Sequence, residues 1–388
     1  GLGLPWWMGT TSLGGGGPVG DPPTAVIAQQ PTSVAGEFRF DGSGSTANTD
    51  GASIIRYDWE FPDHTTATGI VATKRFTTAG SHEVTLTVTD SNGLTGTTST
   101  SVATGLVVNS TADRPNAADS DTVCDTGLAV PDGDPPECTL RAAIEAANDS
   151  GVAQGITFDI DAVGTPVIEV GTGLPTGTVG LTIDGTSQPG GWVRLASAGG
   201  STSFDGLRLG GAGSTVTGLN TAGFRFAIAV NGRNSLIQGN HLGTNPDGTA
   251  VGVQPSTGIL VGDETGLRIL DNVISASGFG VQAITHSAGT IRNNMIGVAA
   301  GGTQVLDPAP GVALNLRDVG VWSVVANTVR SSAFGIFLHG DSTAGTTITG
   351  NRVGTSSQGV VILPATGVGI FVDVVPAAQV VDNIVTVG

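Results

Sequence analysis

Hydrophobic and polar residues alternate with a period of two in short runs along most of this chain. Examples are Val84, Leu86 and Val88 between Thr85, Thr87 and Thr89, then Leu181-Thr182-Ile183-Asp184, Leu207-Arg208-Leu209 and Leu267-Arg268-Ile269-Leu270. Gly, Asn and Asp separate the runs. Period two with turn residues between predicts many short β-strands. One stretch departs from this. In 137–148, Leu140, Ala143, Ile144 and Ala147 fall on one face at helical spacing, with Thr139 placed to cap the N-terminus.

From residue 219 onward the strands carry a repeated phrase: GNHLG, DNVIS, NNMIG, ANTVR, GNRVG and DNIVT. Its fixed member is Asn240, Asn272, Asn294, Asn327, Asn351 and Asn383, at spacings of 32, 22, 33, 24 and 32 residues. Repeats of this length mean stacked units, and short strands in place of helices mean a parallel β-helix. Each coil then rises by roughly 4.8 Å. The recurring Asn is expected at one bend of every coil, in a left-handed backbone conformation, with its amide paired to the Asn above and below. The extra residues of the longer units (243–259, 297–312 and 354–368) are expected to project as loops from alternate coils. Less regular coils occupy 161–218, and the span from 155 onward holds about ten coils, a rod of roughly 48 Å.

Residues 21–104 carry Pro23-Thr24-Ala25, Phe40-Asp41-Gly42-Ser43-Gly44-Ser45, Tyr57-Asp58-Trp59-Glu60-Phe61, and Val84 through Gly93. In order and spacing these resemble a PKD domain. That resemblance implies an immunoglobulin-like β-sandwich acting as a spacer, adhesive or interaction module of extracellular proteins. On the strand 57–61, Trp59 and Phe61 alternate inward and are expected to fill its core. Asp41, Asp58 and Asp90 are read as turn-holding carboxylates, with Ca²⁺ binding as the alternative. In 105–160, the helix begins Cys138-Thr139-Leu140-Arg141-Ala142-Ala143. This resembles the CSLREA segment that opens many secreted bacterial right-handed β-helix proteins. An open first coil exposes apolar side chains and unpaired backbone, so the helix is expected to cover it. Arg141 and Glu145 are expected to form an i,i+4 surface pair. The predicted fold class is therefore all-β: a sandwich at 21–104, a capping segment at 105–160 and a right-handed parallel β-helix at 161–388.

Composition narrows the function. The formal charge is −17, with 15 Lys+Arg against 32 Asp+Glu. Such a surface disfavours nucleic acid and anionic membranes. No apolar run reaches the ~18 residues of a membrane span. Cys124 and Cys138 are the two cysteines. A disulfide between them is expected and implies an oxidising, extracellular setting; two free thiols or half of a metal site are the alternatives. The chain begins at Gly1, which is read as a mature or trimmed terminus. Residues 1–20 carry Leu4, Trp6, Trp7 and Met8 ahead of a run of glycines. An aromatic cluster on a flexible linker reads as an anchor for another molecule. It could also fold back on its own β domain, or be a cloning or propeptide remnant. No polar capping coil follows the last repeat, so more chain or another subunit is expected there.

An enzymatic reading competes with this one. Counted back from the ladder asparagines, Asp318, Asp341 and Asp373 fall near one bend of three successive coils. Neighbouring carboxylates can share acid and base roles in glycoside cleavage. The simpler reading is that Asp is a good turn residue. His241, His286 and His339 fall at different positions and form no constellation. The expectation is a non-enzymatic extracellular structural or adhesive protein, self-assembling head-to-tail at a cell surface or in a filament, with surface glycans as a further partner and no cofactor or metal. The alternative is a secreted polysaccharide hydrolase or lyase.

Overall fold

The computed structural model describes residues 20–32, 37–76, 80–117, 122–130, 136–340, 345–356, 367–375 and 377–386. Leu4, Trp6, Trp7, Met8 and Asp341 lie outside the described residues. The chain divides into two compact units. The first is built chiefly from Glu37–Lys74 and Ser81–Ala103, the second chiefly from Thr104–Gly388.

The first unit is a sandwich of two small sheets. One orders Ala28–Pro31, Glu37–Asp41 and Val71–Arg75; the other orders Thr66–Thr68, Ile54–Glu60, Gly80–Asp90 and Thr95–Thr104. Alternation puts Phe40, Trp59, Val84, Leu86 and Val88 inside, all at most 1% exposed. The Phe40 ring lies 6.0 Å from Trp59 and 6.1 Å from Phe61. The one polar atom of the Trp59 ring is satisfied, because its Nε1–H donates to Gly69 O at 2.9 Å.

The second unit is a parallel β-helix of three sheets. The first sheet stacks ten strands from Leu106–Val108 to Gln379–Val381, the second nine from Val167–Val170 to Ile384–Val385, and the third seven from Leu207–Leu209 to Val368–Asp373. Among the described residues, successive coils pair in parallel. Register aligns side chains of one type into columns. In the first sheet Ile156, Ile183, Val216, Ile237, Ile269, Ile291, Val324 and Ile348 stand one above another, each 0% exposed. β-branched residues suit this pleated stack. Full burial of each is worth about 2 kcal/mol.

The helix Leu140–Ser150 covers the start. Thr139 Oγ1 accepts from Ala142 N–H at 3.1 Å, and Gly151 ends the helix in a left-handed conformation with φ 66°. Leu140, Ala143, Ile144 and Ala147 are buried in the same cluster as Leu106, Ile156 and Phe158.

Candidate functional site

The six recurring asparagines share one column. Register places Leu219, Asn240, Asn272, Asn294, Asn327, Asn351 and Asn383 directly above one another, just before the two-residue strands of the second sheet. Asn240 through Asn351 are 0% exposed. From Asn272 to Asn383 each Oδ1 accepts twice from the coil below. Asn294 Oδ1, for example, takes the Asn272 N–H and the Asn272 Nδ2–H, both at 3.0 Å. Each Nδ2 also donates to a main-chain carbonyl, as Asn294 does to Ile269 O at 2.8 Å. The side chains thus carry hydrogen bonding through a corner where the backbone ladder lapses, and the N–H of each asparagine from Asn240 to Asn351 is paired there. The column begins above Leu219, whose N–H donates to Asn240 Oδ1 at 3.1 Å.

The left-handed position is not the recurring Asn. It is the residue before it: Gly239, Asp271, Asn293, Ala326, Gly350 and Asp382, with φ between 55° and 66°. The inward Asn must keep an ordinary backbone to aim its amide along the column, so the bend falls one residue earlier. That position faces out and takes residues of several kinds.

The cap carries a polar cluster. Cys124 and Cys138 form a disulfide with Cα atoms 5.2 Å apart. Burial opposes ionisation of Glu137, but hydrogen bonds from Thr126 and Ser110 and the Arg114 guanidinium outweigh it, so its pKa lies below the ordinary value. Arg141 does not pair with Glu145. Its guanidinium grips Asp113 through Nε at 2.8 Å and Nη2 at 3.0 Å, and donates to Thr172 O. Glu145 accepts from Asn116 N–H at 2.7 Å. Helical spacing favoured the i,i+4 pair, but folding brings the Asp113 loop and the next coil over the helix, where a bidentate clamp is stronger.

In the sandwich, Asp41 accepts from Ser43 N–H and pairs with Arg39, Asp58 pairs with Arg56, and Asp90 accepts from Asn92 and Leu94 N–H. The three carboxylates thus have separate partners. Among the described residues no group of three His, Cys, Asp or Glu is arranged to hold a metal.

Of the three aspartates weighed for catalysis, two are described. Register pairs Arg317 with His339 and His339 with Asp373. Asp373 Oδ2 lies 3.1 Å from His339 Nδ1. Asp318 comes one residue after Arg317, at φ 51°, and packs against Gly340. Asp318 and Asp373 therefore do not share a row. Asp318 lies nine residues before Asn327, whereas Arg317 and Asp373 each lie ten before their ladder asparagine, and that difference of one sets Asp318 beside the row. His241 stacks on Trp192 at 4.2 Å with its Nδ1 on Pro246 O, and burial lowers its pKa. His286 lies far along the chain from both, 3.8 Å from Asp263.

Two features were not read from the sequence. The first is a cluster of phenylalanines on the outer face of the third sheet. Phe337 and Phe371 stack at 5.2 Å with planes 10° apart, and Phe334 meets them edge-on at 5.3 and 5.8 Å. Only their strand register, at equivalent positions of adjacent coils, could have revealed it. The second is that two of the long loops, those after Asn240 and Asn294, are hairpins that stack. Thr244 bridges Val251 and Val298 bridges Val305, and Ala300 N–H donates to Gly248 O at 2.9 Å. Ala299 and Leu306 close over Val273, with Val251 and Met295 packed alongside, so these hairpins cover the outer face of the second sheet.

Residues 20–105 match the model of the PKD domain family, and with the sandwich above this makes the N-terminal unit a PKD domain. Among solved structures, the PKD1 domain of Vibrio anguillarum Epp is 22% identical, with 22% of this chain and 96% of that chain covered at a TM-score of 0.20. The PKD1 domain of the Vibrio cholerae metalloprotease PrtV is 27% identical, with 22% and 98% covered at a TM-score of 0.19. No curated protein matches the chain. Among the described residues no helix is long and apolar enough to cross a membrane.

Proposed function

We propose that this chain is an extracellular structural or adhesive protein without catalytic activity, a cell-surface or filament subunit whose copies associate through the apolar tail of residues 1–20. The observation that carries this reading is the direction in which the repeat faces. The recurring asparagines point inward and bond to one another, so repetition here serves the scaffold. The PKD domain at residues 20–105 and the Cys124–Cys138 disulfide support an extracellular setting. The right-handed, CSLREA-like character of the β-helix belongs to the same reading. The carboxylates weighed for glycan cleavage support it too, since Asp373 is engaged by His339 and Asp318 sits off its row.

The test is sedimentation velocity and electron microscopy of the full chain beside a form lacking residues 1–19, with a parallel glycan-cleavage screen. Concentration-dependent association that disappears on deletion is expected, with no cleavage. Turnover of a glycan that is lost in Asp373→Asn would replace this reading with a hydrolase or lyase.

A further inference from the structure

We propose that the outer face of the third sheet is the docking surface for the Leu4–Met8 tail of a second copy of this chain. The proposal rests on the self-association reading above and names its contact site.

The three outer faces of the β-helix differ. The first sheet presents polar side chains, among them Thr182, Arg268, Thr290, Ser323 and Thr347. The second lies under its own stacked hairpins, which leave Val273 6% exposed. The third carries an apolar strip beside an outward column of Ile284, Arg317, His339 and Asp373. Register lines Phe279, Val312, Phe334 and Val368 into one outward column and Phe337 and Phe371 into another. Val368 remains 43% exposed and Ile284 36%. The ring contacts of Phe334 with Phe337 and Phe371 place both columns on one continuous surface. A contiguous apolar surface of this kind marks an interaction site.

Charge and chain length point to the occupant. A copy with formal charge −17 repels another copy over most of its surface. Residues 1–19 hold no Asp, Glu, Lys or Arg, and they concentrate Leu4, Trp6, Trp7 and Met8. This uncharged aromatic segment suits an aromatic and aliphatic strip. Rows of coils ~4.8 Å apart leave furrows into which flat rings insert. Eleven residues separate Met8 from Gly20, and a Gly-rich sequence of that length has a reach of roughly 20 Å, enough to bring the tail to a neighbour.

The experiment places a photoreactive benzoylphenylalanine at Trp6 of the full chain, mixes isotope-labelled and unlabelled protein, and maps the cross-links by mass spectrometry. Cross-links between copies into Phe334–His339 or Val368–Asp373 are expected. In the same chain, Phe337→Ser with Phe371→Ser should weaken association at least tenfold, as loss of a central aromatic contact does. If that variant fails to fold, the cross-link map on the unaltered face decides. Cross-links between copies that fall elsewhere overturn the site while self-association stands. Cross-links confined within one chain overturn the second copy as occupant. Absence of association at any concentration sinks both readings. A folded face variant that still associates but loses binding to a neutral glycan array would assign the strip to carbohydrate instead.

Discussion

Replacing Asn294 by Ala tests whether the asparagine column is a structural necessity or a by-product of turn chemistry. The Asn294 side chain is fully buried. Its Oδ1 is the acceptor for the Asn272 N–H, and its Nδ2 donates to Ile269 O, Arg292 O and Asn327 Oδ1. Alanine leaves the Asn272 donor and the Ile269 acceptor without these partners, in a site closed to water. Each such group costs about 1–3 kcal/mol, and the small cavity adds to it. The expected loss is about 3–5 kcal/mol, a large share of a domain's total stability. The matched control is Asn293→Gly. Asn293 is the exposed neighbour at φ 57°, and Gly adopts that conformation without strain. Urea unfolding gives both free energies, and hydrogen exchange reads the Asn272 amide directly. The reasoning fails if Asn294→Ala costs less than about 1 kcal/mol with the Asn272 amide still protected, or if the two variants are equally damaging.

Two further outcomes follow from the same structure. Ala326 is an exposed non-glycine at φ 55°; a left-handed L-residue costs about 1–2 kcal/mol and glycine's extra chain entropy about 0.5–1, so Ala326→Gly should raise the unfolding midpoint slightly, and a clear drop would mean that its methyl group packs. Glu137 has a folded pKa below its unfolded one, so its contribution is complete above the unfolded value of about 4.3 and is lost as pH falls through the lower folded value; acid titration of stability should show this step in the native chain and a flatter profile in Glu137→Gln, whereas parallel curves would remove Glu137 from the account.

The repeat was legible in the sequence because stacking forces identical environments onto residues a coil apart, and the phrase around Asn240, Asn272 and Asn294 records that. The inward columns were legible for the same reason, through period-two alternation. The left-handed residue was not, since Gly, Asp, Asn and Ala all serve there and only the backbone distinguishes it from its neighbour. Arg141 was misassigned because a local pairing rule cannot see Asp113, 28 residues earlier in the chain. The aspartate row holds only loosely, because Asp318 lies nine residues before Asn327 and Asp373 ten before Asn383, and with a period of two a difference of one residue changes the row. The phenylalanine cluster was invisible for a related reason: Phe334, Phe337 and Phe371 stand far apart or unpatterned in sequence, and only strand pairing makes them neighbours.

The hairpins on alternate coils set a rule for how such a scaffold can lengthen. A hairpin with its side chains is about as thick as a packed sheet layer, roughly 10 Å, while one coil advances only about half of that. Hairpins on every coil would collide, and hairpins on every second coil meet, as Ala300 and Gly248 do. The heritable unit of growth is therefore a pair of coils, one bearing a hairpin and one bare, as in the span from Asn240 to Asn294. Adding or removing a pair preserves the stacking on both sides of the junction. Adding or removing a single coil would force two hairpins together or part them, which makes the even step the tolerated one in duplication and in engineering alike.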